Sequence, residues 1–262
     1  MIVVKYGGHA LPSPGQPDGA LGVIASFHKS GGKIVLIHGG GPQVDAELAI
    51  HGIQSEMSAG YRVTTPKTLE IVQSVLSGQV CRTLVNGLIY FGVNAVGLSA
   101  SDGRTIRAEL MRPIVNGSAV DIGLVGDIKS TDPRLLSLLL TENYLPVVSP
   151  ISTDEKGQGL NLNGDLAAGA IGGSLKADQV IFMTDVEGIY RDYPDKNSII
   201  TECSAAELRQ LQSTLVGGMI PKAKAVLFAL DHGAKLVRVI DGRDPSNLIA
   251  ALDGHGGTQV KM

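Results

Sequence analysis

Short apolar runs recur along the chain at residues 2–5, 33–37, 94–98, 145–148, 179–184 and 236–240. They are rich in valine and isoleucine, and most are apolar at successive rather than alternate positions. That pattern predicts strands buried on both faces, as in a parallel sheet covered by helices on each side. Between the runs, helices are predicted over 42–50, 66–77, 132–142, 165–173, 205–212, 222–231 and 245–252. Pro42 stands at a first-turn position, and the pair Thr64-Thr65 can cap the helix that follows. Strand–helix alternation over most of the chain predicts an open α/β sandwich. Residues 101–129 break the alternation. Their turn-rich "SDGR" and "VNGS" predict hairpins that form a lid or rim. A division into two lobes is expected near residue 167, giving 1–166 and 167–262.

The first run raises a chemical question, because "VVKYGG" carries a strand into a lysine and two glycines. A buried charge needs a partner, and glycine in a strand marks a sharp turn or a close approach. Lys5 with Gly7 and Gly8 therefore points to an anion at the strand end. "KIVLIHGGGPQVD" repeats the theme. Gly39, Gly40 and Gly41 follow a strand and open a helix, where backbone N–H groups and the helix dipole converge on one point. A simple strand-to-helix turn needs one glycine, not three. The familiar phosphate motifs fail: Gly32-Lys33 is followed by Ile34, not Ser or Thr, and no G-x-G-x-x-G follows the first strand.

Four further stretches carry candidate chemistry. Arg62 in "AGYRVTTP" offers a fork for a carboxylate, although a surface arginine reads equally well. In "GLNLNGD", Asn161 and Asn163 alternate on a short strand and face one way, and Asp165 is expected to cap the next helix while its carboxylate stands ready for a lysine or Mg²⁺. "TDVEGIY" places Asp185 and a glycine turn at the carboxyl end of a strand, the usual mouth of a nucleotide pocket. In "GGMIPKA", Lys222 falls in the first turn of a helix. There it opposes the dipole unless a polyanion lies between.

Composition narrows the class. The 34 glycines among 262 residues are nearly twice the usual share of about 7%, so many backbone positions are turns or ligand-facing loops. A net charge of -3 gives no basic field for nucleic acid or anionic lipid. Cys81 and Cys203 match no zinc spacing and read as buried thiols of a reducing, cytoplasmic compartment. No apolar run approaches the ~20 residues of a membrane span, and no leader precedes the first strand.

In order and spacing, "VVKYGG", "HGGGPQV", "GYRVTT", "NLNGD", "TDVEGI" and "GGMIPKA" resemble the amino acid kinase family, over essentially the whole chain. The resemblance implies a three-layer α/β/α sandwich with a mainly parallel central sheet. Residues 1–166 would bind the acyl amino acid and dimerise, and 167–262 would bind ATP. It implies ATP-dependent phosphorylation of the side-chain carboxylate of N-acetyl-L-glutamate to an acyl phosphate, a step of arginine biosynthesis. Mg²⁺ would arrive with the nucleotide, and no metal-ligating cluster of the protein is expected. By the same resemblance Lys5 and Lys222 neutralise the moving phosphoryl group, Asp165 orients them, and the amides of Gly8 and Gly40 face it. Gly40, Gly41, Arg62 and Asn161 fall at substrate positions, where the residue reading adds Asn163. Asp185, Val186, Gly188, Ile189, Tyr190, Gly218 and Met219 fall at the nucleotide. The family usually has alanine where this chain has Gly164, and related kinases acting on carrier-bound aminoadipate can carry glycine there. That substrate, and a non-catalytic binding protein of the same fold, are the alternatives. With the first strand beginning at Ile2, a homodimer insensitive to arginine is expected. An apolar stripe along 66–90 is a candidate seam.

Overall fold

A computed structural model describes residues 1–7, 18–115, 117–216 and 219–262. Gly8 and Gly218 lie outside the described residues. The central sheet has eight strands in the order Glu202–Ser204, Thr258–Lys261, Leu236–Asp241, Gln179–Thr184, Ile2–Tyr6, Ile34–His38, Leu145–Ser149 and Ala95–Ser99. The six strands anticipated from the sequence run parallel to one another. Thr258–Lys261 joins antiparallel to Leu236–Asp241, and Glu202–Ser204 pairs parallel to it.

Strand alternation sends side chains into two separate layers. Val3, Val35, Ile37, Val180 and Phe182 pack under the helices Gly164–Ser174 and Met219–Asp231. Val4, Tyr6, Leu36, Ile181 and Met183 pack under Gly19–Lys29, the long helix beginning at Pro66, and Pro245–Leu252. The fold is therefore a three-layer α/β/α sandwich. Both cysteines are buried and free. Among the described residues no helix is long and apolar enough to cross a membrane.

Two packing features position the site. Helix Gly164–Ser174 is built of small residues, and a Cβ at Gly169 would lie 3.1 Å from Ala229, one at Gly173 only 2.1 Å from the His232 carbonyl. This close approach sets Gly164–Ser174 and Met219–Asp231 side by side in the same direction. Their first turns, with Asp165 and Lys222, lie toward the same end. The second feature is the helix predicted over 66–77. It runs on as α-helix Pro66–Gln73, a π-helical turn Ser74–Val80, and α-helix Cys81–Tyr90. Thr65 caps its start by accepting from the Thr68 N–H at 3.1 Å.

The sequence pattern gives no element between residues 5 and 33, yet Gly19–Lys29 is a helix capped by Asp18, whose Oδ1 accepts from Ala20 N at 2.8 Å. Its two glycines dilute the helical signal. The hairpins expected over 101–129 are present. Ile106–Leu110 pairs antiparallel with Gly126–Thr131 in a four-stranded sheet that also holds Ile151–Thr153 and Gly159–Asn161.

Candidate active site

Lys5 emerges at the carboxyl end of the first strand, between Ile37 and Phe182 on the flanking strands. Its Nζ lies 2.8 Å from Asp165 Oδ1, and the two side chains are 14% and 29% exposed. The contact is ionic but lacks hydrogen-bond geometry, so Oδ1 is a buried oxygen with no hydrogen-bond partner. The glycine two residues after Lys5 has a steric cause: a Cβ at Gly7 would sit 2.5 Å from the Met183 carbonyl oxygen of the next strand. Gly40 has a positive φ of 153°, and a Cβ there would sit 2.7 Å from Leu76. Gly41 has open space around it.

His38 lies beneath this corner. It is fully buried, with Nδ1 2.8 Å from the Gly39 carbonyl oxygen and Nε2 without a partner. Burial drives its pKa down to about 4; the hydrogen bond to Gly39 opposes this, and the charge of Lys5 reinforces it. His38 is therefore neutral at pH 7, with its single ring proton on Nδ1 donated to the Gly39 carbonyl.

The assignment of the cap at 163–165 is corrected. Asn163, not Asp165, caps helix Gly164–Ser174: its Oδ1 accepts from the N–H of Asp165 at 2.8 Å and of Leu166 at 3.1 Å. Nor do both asparagines ride one strand, since the strand ends at Asn161. An acceptor just before the helix outcompetes a strand continuation, because the first N–H groups of a helix lack partners. The cap frees the Asp165 carboxylate for Lys5.

A cavity of about 190 Å³ opens beside this corner, with Gly40, Gly41, Arg62, Asn161 and Asn163 all in its wall. Asn161 Nδ2 donates to Thr64 Oγ1 at 3.3 Å. Arg62 ends a two-stranded hairpin, Met57–Ser58 with Tyr61–Arg62, and is tied to Asp45 and Ser55. Val72 and Leu76, from the helix 66–90, supply an apolar side of the same cavity. The sequence pattern does not single out Asp45 or Ser55, and it places Val72 and Leu76 in the candidate dimer seam, not at the acceptor cavity. Asp45 stands within the quoted "HGGGPQVD", but one acidic residue on an exposed helix carries no signal by itself.

On the other side of the first strand, Lys222 Nζ lies 3.4 Å from Asp185 Oδ1, with side chains 19% and 52% exposed. Asp185 opens the turn after strand Gln179–Thr184, and Thr184 Oγ1 donates to the Val186 carbonyl at 3.0 Å. A Cβ at Gly188 would meet Thr258 Oγ1 at 2.4 Å, and that same oxygen accepts from Ile189 N at 2.7 Å. Ile189 and Tyr190 are buried in a short ladder with Ile200 and Ile199, and Met219 is buried at its helix start. Their side chains thus belong to the core, and what this turn presents outward is Asp185, Glu187 and backbone. A larger hollow of about 620 Å³ lies beyond the turn, between Glu187, Arg238 and Gly256, and holds neither lysine.

Two lysines, each beside an aspartate at the carboxyl edge of a parallel sheet, with a glycine-walled cavity next to them, define a phosphotransferase class of site. The chain belongs to the amino acid kinase family, whose sequence profile matches residues 1–241. It is 40% identical over 257 residues to the acetylglutamate kinase of Corynebacterium urealyticum, covering 98% of this chain and 84% of that one. It is 42% identical over 262 residues to the acetylglutamate kinase of Streptomyces avermitilis, covering 99% and 86%. Among solved structures, an N-acetylglutamate synthase from Neisseria gonorrhoeae, complexed with coenzyme A and N-acetyl-glutamate, superposes with a TM-score of 0.85 at 24% identity. The match covers all of this chain but 59% of the synthase. A carbamate kinase from Giardia superposes at 0.71 with 19% identity, covering 99% and 98%. At those identities the two structures speak for the fold alone.

Proposed function

We propose that this chain transfers the γ-phosphoryl group of ATP to the side-chain carboxylate of N-acetyl-L-glutamate, forming an acyl phosphate in arginine biosynthesis. The observation that carries the reading is the Lys5–Asp165 pair standing next to the cavity that Arg62 lines, in a chain about 40% identical to acetylglutamate kinases along nearly its full length. Phosphoryl transfer asks for charge neutralisation and alignment more than for covalent help. Lys5 and Lys222 supply the positive charge. Gly40 and Gly41 bring backbone close to the acceptor, and Arg62 and Asn161 hold it. A carboxylate acceptor, with a pKa of roughly 4.3, is already ionised at pH 7 and needs no base. Buried His38, with its pKa lowered to about 4, is a weak base, in keeping with that requirement.

Mg²⁺ is read as arriving with ATP, where it draws charge from the phosphates. Among the described residues no three His, Cys, Asp or Glu side chains group as a metal site. Mg²⁺ characteristically keeps its waters and takes one or two carboxylates beside phosphates. The Asp165 carboxylate, ion-paired with Lys5, is one candidate for such a role and Asp185 the second. Residues 1–166 are read as the acyl amino acid half and 167–262 as the ATP half of a cytoplasmic homodimer joined through helix 66–90. The aminoadipate alternative rests on Gly164 and on the stretch "GIYRDYPD", and the first of these is testable in the packing. A Cβ at Gly164 would meet nothing nearer than the His38 carbonyl at 3.4 Å, so an alanine also fits and the glycine does not choose the substrate.

The test is ADP release measured with N-acetyl-L-glutamate, aspartate, glutamate and UMP, with hydroxylamine present to trap an acyl phosphate. Turnover and hydroxamate with N-acetyl-L-glutamate are expected. Efficient turnover of UMP or free aspartate without it sinks the reading.

A further inference from the structure

Arg62 is held chiefly through Nη1. Its Nη1 donates to Asp45 Oδ1 and to the Ser55 hydroxyl, whereas Nη2 reaches the Gly41 carbonyl at 3.5 Å, the outer limit of a hydrogen bond. The Arg62 side chain is 12% exposed and that of Asp45 50%. Three separate pieces of chain meet at this guanidinium: Asp45 from helix Gly41–Ile50, Ser55 from the connection after it, and Arg62 from the hairpin. The hairpin turns tightly at Ala59 and Gly60, with φ of 52° and 83°, and Gly60 and Tyr61 join Arg62 in the cavity wall. The hydrogen bond from Arg62, more than any other cause, lowers the Asp45 pKa, with burial opposing it and Ser55 assisting. Asp45 is therefore a carboxylate at neutral pH.

An anion next to Arg62 weakens its attraction for a second carboxylate, so charge alone gives Asp45 no reason to be there. Geometry does. The guanidinium is a planar fork with two usable edges, and its long side chain loses rotamer freedom when it binds. We propose that Asp45, assisted by Ser55, is a positioning residue: it clasps Nη1 of Arg62 so that the Nη2 edge stands ready in the cavity for the carboxylate of the acyl amino acid. The inference rests on the N-acetyl-L-glutamate reading above. It makes helix Gly41–Ile50 responsible both for the glycine turn and for the aim of the arginine, which lies on a different element.

The test combines steady-state kinetics with calorimetric titration of N-acetyl-L-glutamate into the full chain. Asp45→Ala is expected to raise KM for the acyl amino acid roughly tenfold or more, as the loss of hydrogen bonds to charged groups does, while kcat and KM for ATP hold. Asp45→Asn keeps an oxygen for Nη1 and is expected to recover most of that loss. In an Arg62→Ala background, Asp45→Ala is expected to add nothing, because both changes remove one interaction. Should Asp45→Ala fail to fold, Ser55→Ala and Asp45→Asn carry the same comparison, with KM rising in the first and little in the second. An unchanged or lowered KM in the folded variants overturns the proposal; so does an Asp45 effect that survives without Arg62. A wild type that binds no N-acetyl-L-glutamate overturns the substrate reading and this inference together, whereas normal wild-type binding with indifferent variants overturns this inference alone.

Discussion

Lys5 and Lys222 bring the same charge to the same end of the sheet by different means. Lys5 is fixed by a strand bonded on both sides, and its partner Asp165 lies 2.8 Å away and is mostly buried. Lys222 sits in the first turn of a helix, where the dipole opposes it, and its partner Asp185 is half exposed at 3.4 Å. The difference teaches which lysine is preorganised. A charge held on a rigid element by a desolvated partner is aimed before substrate arrives, and one held by a solvated partner is aimed in part by the substrate itself.

The largest expected effect tests that contrast directly. Lys5→Ala should lower kcat by about 10²–10³, the scale of one electrostatic contact to developing charge, and Lys222→Ala should approach it. Lys5→Arg should behave like the alanine variant, because a guanidinium does not fit the ammonium's place. Lys222→Arg should keep measurable turnover. Equal tolerance of arginine at both positions breaks the contrast.

Next in size is the pH dependence of stability around His38. Its folded pKa of about 4 lies below the ordinary 6.5, so between those values the unfolded chain binds more protons. Stability should therefore fall as pH drops from 6.5 to 4, by roughly 3 kcal/mol from this group. Urea titrations across that range, compared with His38→Gln, isolate it. In Lys5→Ala the window should narrow, because one of the causes depressing the pKa is gone. A window unaltered by that change would place the lysine's charge elsewhere.

Arg62→Lys should raise KM for the acyl amino acid about tenfold, with KM for ATP unmoved, since a lysine cannot offer the fork. A parallel change in both constants would point to a general disturbance. The smallest effect belongs to Gly164→Ala, right beside the first lysine. The added methyl meets ordinary contacts, 3.4 Å from the His38 carbonyl and 3.9 Å from Lys5 Cε. Turnover should stay near wild type, and thermal stability should rise slightly, by about 0.4–1 kcal/mol. A large loss of activity would mean that the Lys5 corner is tighter than the Lys222 corner to a degree the geometry does not show.

The sheet was legible because its strands are apolar on both faces, a signal that only double coverage by helices explains. The glycine turns were legible because the ends of the strands at residues 2–6 and 34–38 carry more glycine than a turn requires. Less legible were features set by partners distant in sequence. The helix at Gly19–Lys29 is diluted by glycines and held by packing against Leu84, Leu88 and Leu248. Asn163 turned out to cap the helix from a place in the cavity wall, a role that spacing alone did not show. Asp45 and Ser55 gained meaning only when the hairpin folded back onto helix Gly41–Ile50. Beyond the sixth run, Thr258–Lys261 and the edge strand Glu202–Ser204 are short strands with polar alternation, which reads as coil.

The π-turn at Ser74–Val80 has a consequence for how this gene can change length. A residue removed from that turn lets the helix close into regular α geometry while the segments on either side keep their relative facing, because an i→i+5 turn holds one residue more than the α turn it replaces. Val72 would stay toward the cavity while Leu84 and Leu88 kept their places in the core. A single-codon deletion there should yield a folded chain, with change confined to the wall near Leu76. The same deletion within Cys81–Tyr90 would drag buried leucines to the surface and is expected to abolish folding. Surviving one-codon deletions from a library across 66–90 should therefore cluster in the seven residues of the wide turn.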